Sequence, residues 1–215
     1  MRKFLVVLLV SFLIGSFSAM AADLTGSVEM HSRLISTFSG NDYSENPTMT
    51  AELTLTKGLS FTGFYSADLK DSQTMANFQE FIISGSKTFG KTTIGGMFET
   101  VKFNPLDGVD LYPSVSVTQS LGGGFDIDFL YCYNIENIHE DDEAYNSSTS
   151  HIGITKKFKD WSIVARGHRS GSSTNFSSAV SKEVYKNFDV TGFYHVIDVI
   201  GAPTHFGGVK VGYSF

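Results

Sequence analysis

The last nine residues of the chain, Gly207 to Phe215, alternate strictly between two kinds of side chain. Apolar residues hold the odd positions, Val209, Val211, Tyr213 and Phe215, and small or polar residues hold the even ones. A two-residue period is the pattern of a β-strand with one apolar and one polar face. The strand also ends on an aromatic residue, whereas the exposed termini of soluble domains usually fray. The pattern therefore predicts a strand that crosses a membrane as part of a barrel.

This segment resembles the C-terminal strand of Gram-negative outer-membrane β-barrels, in which a final Phe with an aromatic residue two positions earlier is usual. Phe215 and Tyr213 occupy those two positions here. The resemblance implies a location in the outer membrane, in contact with lipid and lipopolysaccharide. It also implies recognition of Gly207–Phe215 by the barrel assembly machinery.

The N-terminus has the organisation of a secretory signal. Two basic residues precede an almost wholly apolar run at 4–17, and Ala19-Met20-Ala21 follows as a small-x-small cleavage site. The run is too short for a spanning helix, and no stop-transfer pattern follows it. We therefore predict a signal peptide at 1–21, cleaved near Ala21/Ala22, and a single transmembrane β-barrel domain at 22–215.

Composition narrows the remaining choices. No apolar stretch beyond residue 22 approaches the length of a membrane helix, and the mean hydropathy of −0.00 is what alternating strands produce. Cys132 is the only cysteine, so no intramolecular disulfide forms. The net charge of −6 argues against a nucleic-acid partner, because phosphate binding needs a basic surface.

Alternating segments recur between evenly spaced turns. The predicted tight turns centre on Gly58, Gly90, Gly123, Lys159 and Asn187, with separations of 32, 33, 36 and 28 residues, each of which accommodates two strands and one loop. Three of these turns share a Lys-x-Phe sequence, at 87–89, 156–158 and 186–188. Longer polar loops, such as Asn137 to Ser148, lie between the turns. Short turns at one end and long loops at the other are typical of bacterial membrane barrels.

Five turns and six loops join twelve strands. We predict an all-β fold, a closed antiparallel transmembrane β-barrel of about twelve strands, with Leu24 to Phe38 as the first. Ten strands is the second choice, because Asn175 to Tyr185 alternates poorly and fits a loop as well. A soluble sandwich also uses alternating strands, but a sheet in a membrane must close so that every backbone edge is paired.

The polar face of these strands is the candidate functional site. The predicted pore-lining residues are Glu29, His31, Arg33, Glu52, Glu80, Glu99, Asp126, Asp128, Arg166, His168 and Lys210. Eight-stranded barrels are filled by side chains and sixteen-stranded barrels leave a channel, so twelve strands allow a narrow polar pathway. The excess of acids favours small cations or neutral solutes over anions. The alternative is a structural or adhesion barrel, whose lumen is filled by ion pairs and whose long loops bind a partner.

The chain is similar to small monomeric porins with twelve strands, including the oligogalacturonate-specific type, in its size, signal peptide and C-terminal strand. The resemblance implies a channel for small-molecule solutes. That family lines its lumen with basic residues, whereas Arg33 and Arg166 are the inward arginines predicted here.

A hydrolase is a third hypothesis. His168-Arg169-Ser170, with Glu183 on the next strand, would supply a base, a nucleophile and an orienting carboxylate. The spacing looks like that of the lipid A deacylases, although that family is an eight-stranded barrel and Ser170 opens a Gly-Ser-rich loop. We expect a non-enzymatic protein.

No cofactor or metal is predicted. The acidic run Glu140 to Glu143 lacks the alternating ligands and the fixed glycine of a calcium loop. It is expected to be a solvated loop.

Overall fold

The computed structural model describes residues 23–35, 42–44, 46–57, 59–71, 73–74, 76–104, 108–136, 145–171, 173–201 and 203–215. Within these ranges the chain forms fourteen strands. They are Asp23–His31 (β1), Leu34–Ile35 (β2), Asp42–Ser44 (β3), Thr48–Lys57 (β4), Leu59–Asp68 (β5), Phe78–Phe89 (β6), Thr92–Phe103 (β7), Asp110–Gly122 (β8), Phe125–Glu136 (β9), Tyr145–Lys157 (β10), Trp161–Ser170 (β11), Ser173–Tyr185 (β12), Phe188–Ile197 (β13) and Thr204–Ser214 (β14). In the described ranges, no helix is both long and apolar enough to cross a membrane.

Twelve of these strands form a closed antiparallel barrel in the order β1-β14-β13-β12-β11-β10-β9-β8-β7-β6-β5-β4. Neighbours in the sequence are neighbours in the sheet, except at the seam where β1 pairs with both β14 and β4. The prediction of a closed all-β barrel with twelve strands is confirmed. The short strands β2 and β3 form a separate two-stranded sheet.

Alternation along each strand separates two surfaces of the barrel. In β9, Phe129 is 46 % exposed and faces outward, whereas Cys132, on the opposite face, is 2 % exposed. The same contrast holds around the barrel, where the exposed positions carry Val, Ile, Leu, Phe, Tyr and Trp. A continuous apolar outer band of this kind is what membrane barrels present to lipid.

The tight turns lie where the sequence predicts them. Gly90 and Gly123 have positive φ angles of 61° and 60°, a conformation that glycine adopts without steric cost. Asn187 has a φ of 66°, and its backbone N–H donates to the Glu183 carboxylate at 3.1 Å. Asn tolerates this left-handed conformation better than most residues. Gly58 lies outside the described residues.

Three local predictions need revision. The first barrel strand ends at His31 rather than continuing to Phe38, since Leu34–Ile35 turns away to pair with β3; residues 36–38 lie outside the described ranges. Strand β10 begins at Tyr145, so the loop predicted to reach Ser148 is shorter; residues 137–144, with the acidic run, also lie outside the described part. The segment Asn175 to Tyr185 belongs to β12, and its only register shift there lies between Glu183 and Tyr185.

The interior contains an apolar cluster beside Glu80. Phe78 faces inward and stacks on Phe64 at 5.6 Å between ring centroids, with Phe103 at the same distance on its other side. Ala76 and Val101 complete the buried cluster. The strand therefore carries apolar side chains on both faces because its inner face helps form this cluster.

Candidate functional site: the polar interior of the barrel

Strand parity places the predicted pore-lining residues on the inner face of the barrel, with one exception. They share their faces with buried residues such as Thr50, Ser114, Thr149 and Asn175, and oppose the exposed apolar band. The exception is Arg33, which follows the end of β1; its guanidinium lies 4.8 Å from the centroid of the Phe206 ring.

One wall of the interior carries carboxylates. Glu52 on β4, Glu80 on β6 and Glu99 on β7 face inward, and Glu99 lies opposite Ile82, two residues from Glu80 on the neighbouring strand. Glu99 is 6 % exposed, whereas Glu52 is open to solvent. Among the described residues, no basic group forms an ion pair with these three carboxylates. We call Glu52, Glu80 and Glu99 the acidic wall.

A second wall carries imidazoles and a guanidinium. On β10, His151 Nε2 lies 2.9 Å from Asp128 Oδ2, and on β11, Arg166 Nε lies 3.5 Å from the same oxygen. The His151 and His168 rings meet edge to face, with centroids 5.7 Å apart. His195 on β13 is also buried. We call His151, Arg166, His168 and His195 the basic wall.

The order of strands sets the two walls opposite each other. In the closed barrel β4 lies six strands from β10, β5 lies six from β11, and β7 lies six from β13. The acidic wall on β4–β7 therefore faces the basic wall on β10–β13 across the interior. A dipolar or charged solute between them would experience a field across the barrel axis.

The seam between the first and last strands contains a third group of charges. Lys210 Nζ donates to Glu29 Oε1 at 2.8 Å, and His31 Nε2 lies 3.2 Å from Glu29 Oε2. His31 Nε2 also lies 3.2 Å from Thr50 Oγ1 on β4. Side chains from three neighbouring strands thus meet on the inner side of the seam.

The two ends of the interior differ. Near the short turns, Lys157 Nζ and Asp126 Oδ2 form an ion pair at 3.1 Å that is open to solvent. Near the loops, the carboxylate of Asp68 is buried and accepts hydrogen bonds from the amides of Lys70 and Asp71, both at 2.8 Å. Asp68 therefore fixes the start of the loop after β5.

Water reaches part of this interior. The side chains of Arg166, Lys210 and Glu29 are 34 %, 27 % and 23 % exposed, although all three lie on the inner face. The apolar cluster around Phe78, in contrast, is closed. The interior is thus accessible along the basic wall and the seam, and filled on the loop side of β5–β7.

The hydrolase residues are not brought together. His168 Nε2 lies 2.7 Å from the hydroxyl of Ser177, not that of Ser170, which accepts a hydrogen bond from Thr149. His168 pairs with Asn175 on β12, and Glu183 lies eight residues farther along that strand, about 26 Å away at the usual rise. The buried Nδ1 atom of His168, moreover, has no hydrogen-bond partner among the residues that the structure describes.

The sequence reasoning missed several interior residues. His151 was not predicted because the loop was extended to Ser148, which hid the strand before Ile152. His151 alternates in β10 with the same period as Thr149 and Gly153, and this pattern would have identified it as an inward residue. Asp68 was missed because its role depends on hydrogen bonds from a loop, which alternation does not reveal.

Comparison with known proteins shows a porin fold. The KdgM porin superposes with a TM-score of 0.62 and 13 % identity over 91 % of this chain and 99 % of that one, and the KdgM porin in complex with disordered oligogalacturonate gives 0.63 with the same identity and coverage. The NanC porin gives a TM-score of 0.56 and 12 % identity over 91 % of this chain and 99 % of that one. No family model matches the sequence, and no curated protein matches it.

Proposed function

We propose that this protein is a small porin-like channel that carries small solutes across the outer membrane of a Gram-negative bacterium. The observation that carries the proposal is the polar, partly water-accessible interior of a closed barrel, with acidic and basic walls on opposite sides. A barrel that served only as an anchor would have no need for an open charged face along its axis. The porin fold of the structural neighbours is consistent with this proposal.

Membrane insertion is supported by the outer surface. Val209, Val211 and Tyr213 on β14 are exposed, as are Phe125 and Phe129 on β9. Apolar side chains are more stable in hydrocarbon than in water. Because the sheet is closed, its backbone hydrogen-bonding groups are also paired between strands, as a membrane requires. We extend the proposal to lipid and lipopolysaccharide as the surroundings of this band. The exposed face of Gly207–Phe215 is the surface that the barrel assembly machinery would recognise.

The proposed pathway runs beside the basic wall and the seam. The cluster around Phe78 closes the loop side of β5–β7, so a solute would pass Arg166 on the basic wall rather than Phe78. Across from it, Glu52 is open to solvent on the acidic wall. A solute in this passage therefore contacts charges of both signs.

The balance of charge favours cations. Of the ten predicted pore-lining residues that lie on the inner face of the barrel strands, six are acids, two are Lys or Arg and two are His, which leaves a formal charge of 2 − 6 = −4 when both His are neutral. One of the KdgM structures is a complex with oligogalacturonate, which is polyanionic. Arg166 is the one arginine among these ten residues, so we propose small cationic or neutral polar solutes instead.

Conductance in planar lipid bilayers tests this function. The purified protein is expected to give discrete openings with a reversal potential that indicates mild selectivity for cations. The triple variant Glu52→Gln, Glu80→Gln, Glu99→Gln removes the acidic wall and should move the reversal potential toward zero. The shift should be larger in dilute salt, since the screening length is about 30 Å at 0.01 M and 10 Å at 0.1 M.

Asp71→Asn is the matched control, because Asp71 is an exposed acid in the loop after β5. It should leave the selectivity unchanged. A correctly folded protein that is electrically silent in all conditions would overturn the channel and support the filled structural or adhesion barrel. In that case exchanging the residues between β9 and β10 should abolish binding to a partner.

A further inference from the structure

Two of the Lys-x-Phe turns place a lysine ammonium over an aromatic ring. Lys87 Nζ lies 5.3 Å from the centroid of the Phe89 ring, and Lys156 Nζ lies 5.2 Å from that of Phe158. Both distances are within the range of cation–π attraction. The recurrence of the motif therefore has a structural consequence that the channel function does not use.

Lys156 and Lys182 extend the pattern along the turn end. Lys156 Nζ also lies 4.0 Å from the centroid of Phe125 and donates a hydrogen bond to the carbonyl of Gly123. Lys182 Nζ lies 5.0 Å from the ring of Trp161, its register partner on β11. We call Lys87, Lys156 and Lys182 the lysine belt.

All three lysines of the belt point away from the lumen. Each shares the parity of exposed apolar residues, and their register partners include Ile94, Phe125 and Trp161. The acids nearest the turn end, in contrast, lie on the inner face. They are Asp23, Asp126, Glu183 and Asp189.

The charge on the outer surface at this end is therefore of one sign. Where the structure describes outward side chains in the turn half of the barrel, the charged ones are the three lysines of the belt. The described turns add Lys91, Lys159 and Lys186 and one acid, Asp160. This end of the outer surface is electropositive although the chain carries a net charge of −6.

We propose that the lysine belt binds the headgroup phosphates of anionic phospholipids in the leaflet that surrounds the short turns. A lysine at this level lies with its methylene stem along the apolar band and its ammonium among the headgroups. The neighbouring rings occupy the interfacial region, where Phe, Tyr and Trp contact the acyl boundary. Each site thus presents a fixed positive charge beside an apolar surface, which matches a phosphate above an acyl chain.

Charge complementarity selects the ligand. A headgroup with a net negative charge, such as phosphatidylglycerol, satisfies the ammonium, whereas in a zwitterionic headgroup the phosphate is already compensated. A lysine near a membrane surface increases the affinity for anionic lipid roughly fivefold. The inference rests on the membrane placement in the proposed function, but not on conductance.

Spin-labelled lipids in reconstituted vesicles measure this preference directly. The full-length mature protein is reconstituted in phosphatidylcholine, and the electron paramagnetic resonance spectrum separates lipids held at the protein surface from those in the bulk. Labelled phosphatidylglycerol is expected to associate more strongly than labelled phosphatidylcholine, and added salt should weaken the preference. The variant Lys87→Gln, Lys156→Gln, Lys182→Gln should bring the ratio of the two association constants close to one.

Lys102→Gln is the matched control. Lys102 is an exposed, outward lysine of β7 at the loop end, and none of the described aromatic rings lies beneath its ammonium. This variant should retain most of the preference. The inference is overturned if the wild type shows no preference, if the triple variant keeps it, or if Lys102→Gln lowers it as much as the triple variant.

Folding and insertion are checked in the same samples. Each variant should keep the heat-dependent shift in electrophoretic mobility that marks a folded barrel, and Lys156→Gln alone replaces the triple variant if that one does not fold. A protein that does not insert gives no surface-restricted lipid signal, which contradicts the membrane placement itself. An inserted protein with a ratio of one contradicts only the lysine belt.

Discussion

Gly26 and Phe215 join the first and last strands of the barrel through a reciprocal pair of backbone hydrogen bonds. The amide of Gly26 donates to the carbonyl of Phe215 at 3.0 Å, and the amide of Phe215 donates to the carbonyl of Gly26 at 2.9 Å. A Cβ atom at position 26 would lie 2.6 Å from Cζ of Phe215, so the aromatic ring lies directly against the glycine. The terminal aromatic residue thus covers the seam between the first and last strands as well as facing outward.

Replacing Gly26 by Val should weaken this seam. The new side chain overlaps the Phe215 ring and the Glu52 carbonyl, which is 2.8 Å from the position of a Cβ. We expect a loss of about 1–3 kcal/mol in the free energy of unfolding, typical of overpacking. Urea-induced unfolding in detergent micelles, followed by the mobility shift of the folded barrel, measures it.

Gly63→Val is the matched control for this prediction. Gly63 faces outward on β5, and a Cβ there meets nothing within 4 Å. Because Val favours strands, this variant should be as stable as the wild type or slightly more stable. Equal losses in the two variants would show that the Phe215 ring does not contribute to closure.

Asp68 is expected to be the main anchor of the loop after β5. Its carboxylate accepts from the amides of Lys70 and Asp71 and from Thr74 Oγ1 at 3.2 Å, and it also binds the Ser44 hydroxyl. Asp68→Ala leaves the buried Ser44 hydroxyl and the three loop donors without their acceptor and should cost about 2–4 kcal/mol. Urea-induced unfolding in detergent micelles measures this loss in the free energy of unfolding.

The exposed neighbour Asp71 provides the comparison for Asp68. Its carboxylate accepts one hydrogen bond, from the Gln73 amide at 2.9 Å, at the surface. Asp71→Ala should therefore cost less than about 1 kcal/mol. A smaller loss for Asp68→Ala than for Asp71→Ala would contradict the role of Asp68 as an anchor.

The inner position of residues such as Glu99 and Arg166 was predictable because parity in a strand depends on the local sequence alone. Their grouping was not, because it depends on which strands lie opposite each other and on the register between them. Asp128, for example, pairs with Gly153 on β10, and this absence of a side chain allows Arg166 to reach it from the next strand. Alternation likewise gave no reason for Phe78 to face inward, since its partners Phe64 and Phe103 come from separate strands.

The two arginines of β11 test the inner and outer faces directly. Arg166 faces the lumen beside Asp128, whereas Arg169 has the opposite parity and is exposed. Arg166→Gln should increase the selectivity for cations, because it removes a positive charge from the lumen and leaves Asp128 less compensated. Arg169→Gln should leave the reversal potential unchanged. Selectivity that responds to Arg169 and not to Arg166 would place the channel lining on the other face.

His168 is expected to have a structural role in the lumen wall rather than a hydrolytic one. Its imidazole is 3 % exposed and is held by the Ser177 hydroxyl at 2.7 Å, far from the Glu183 carboxylate that a triad would require. Ser177→Ala removes that contact and should cost about 1–3 kcal/mol in unfolding free energy. Ser170→Ala should cost less, because the bond that Ser170 accepts from Thr149 is longer, at 3.2 Å.

The mass spectrum of lipid A separates this structural role from the hydrolase. Cells that express the wild type, His168→Ala or Ser170→Ala should all yield lipid A of unchanged mass, since His168, Ser170 and Glu183 are not brought together in the described part of the barrel. The variants must first be shown to be folded and inserted, so that a lost activity is not confused with a lost protein. A loss of acyl chains that requires both His168 and Ser170 would mean that these two side chains meet in another conformation, and the channel proposal would then have to include catalysis.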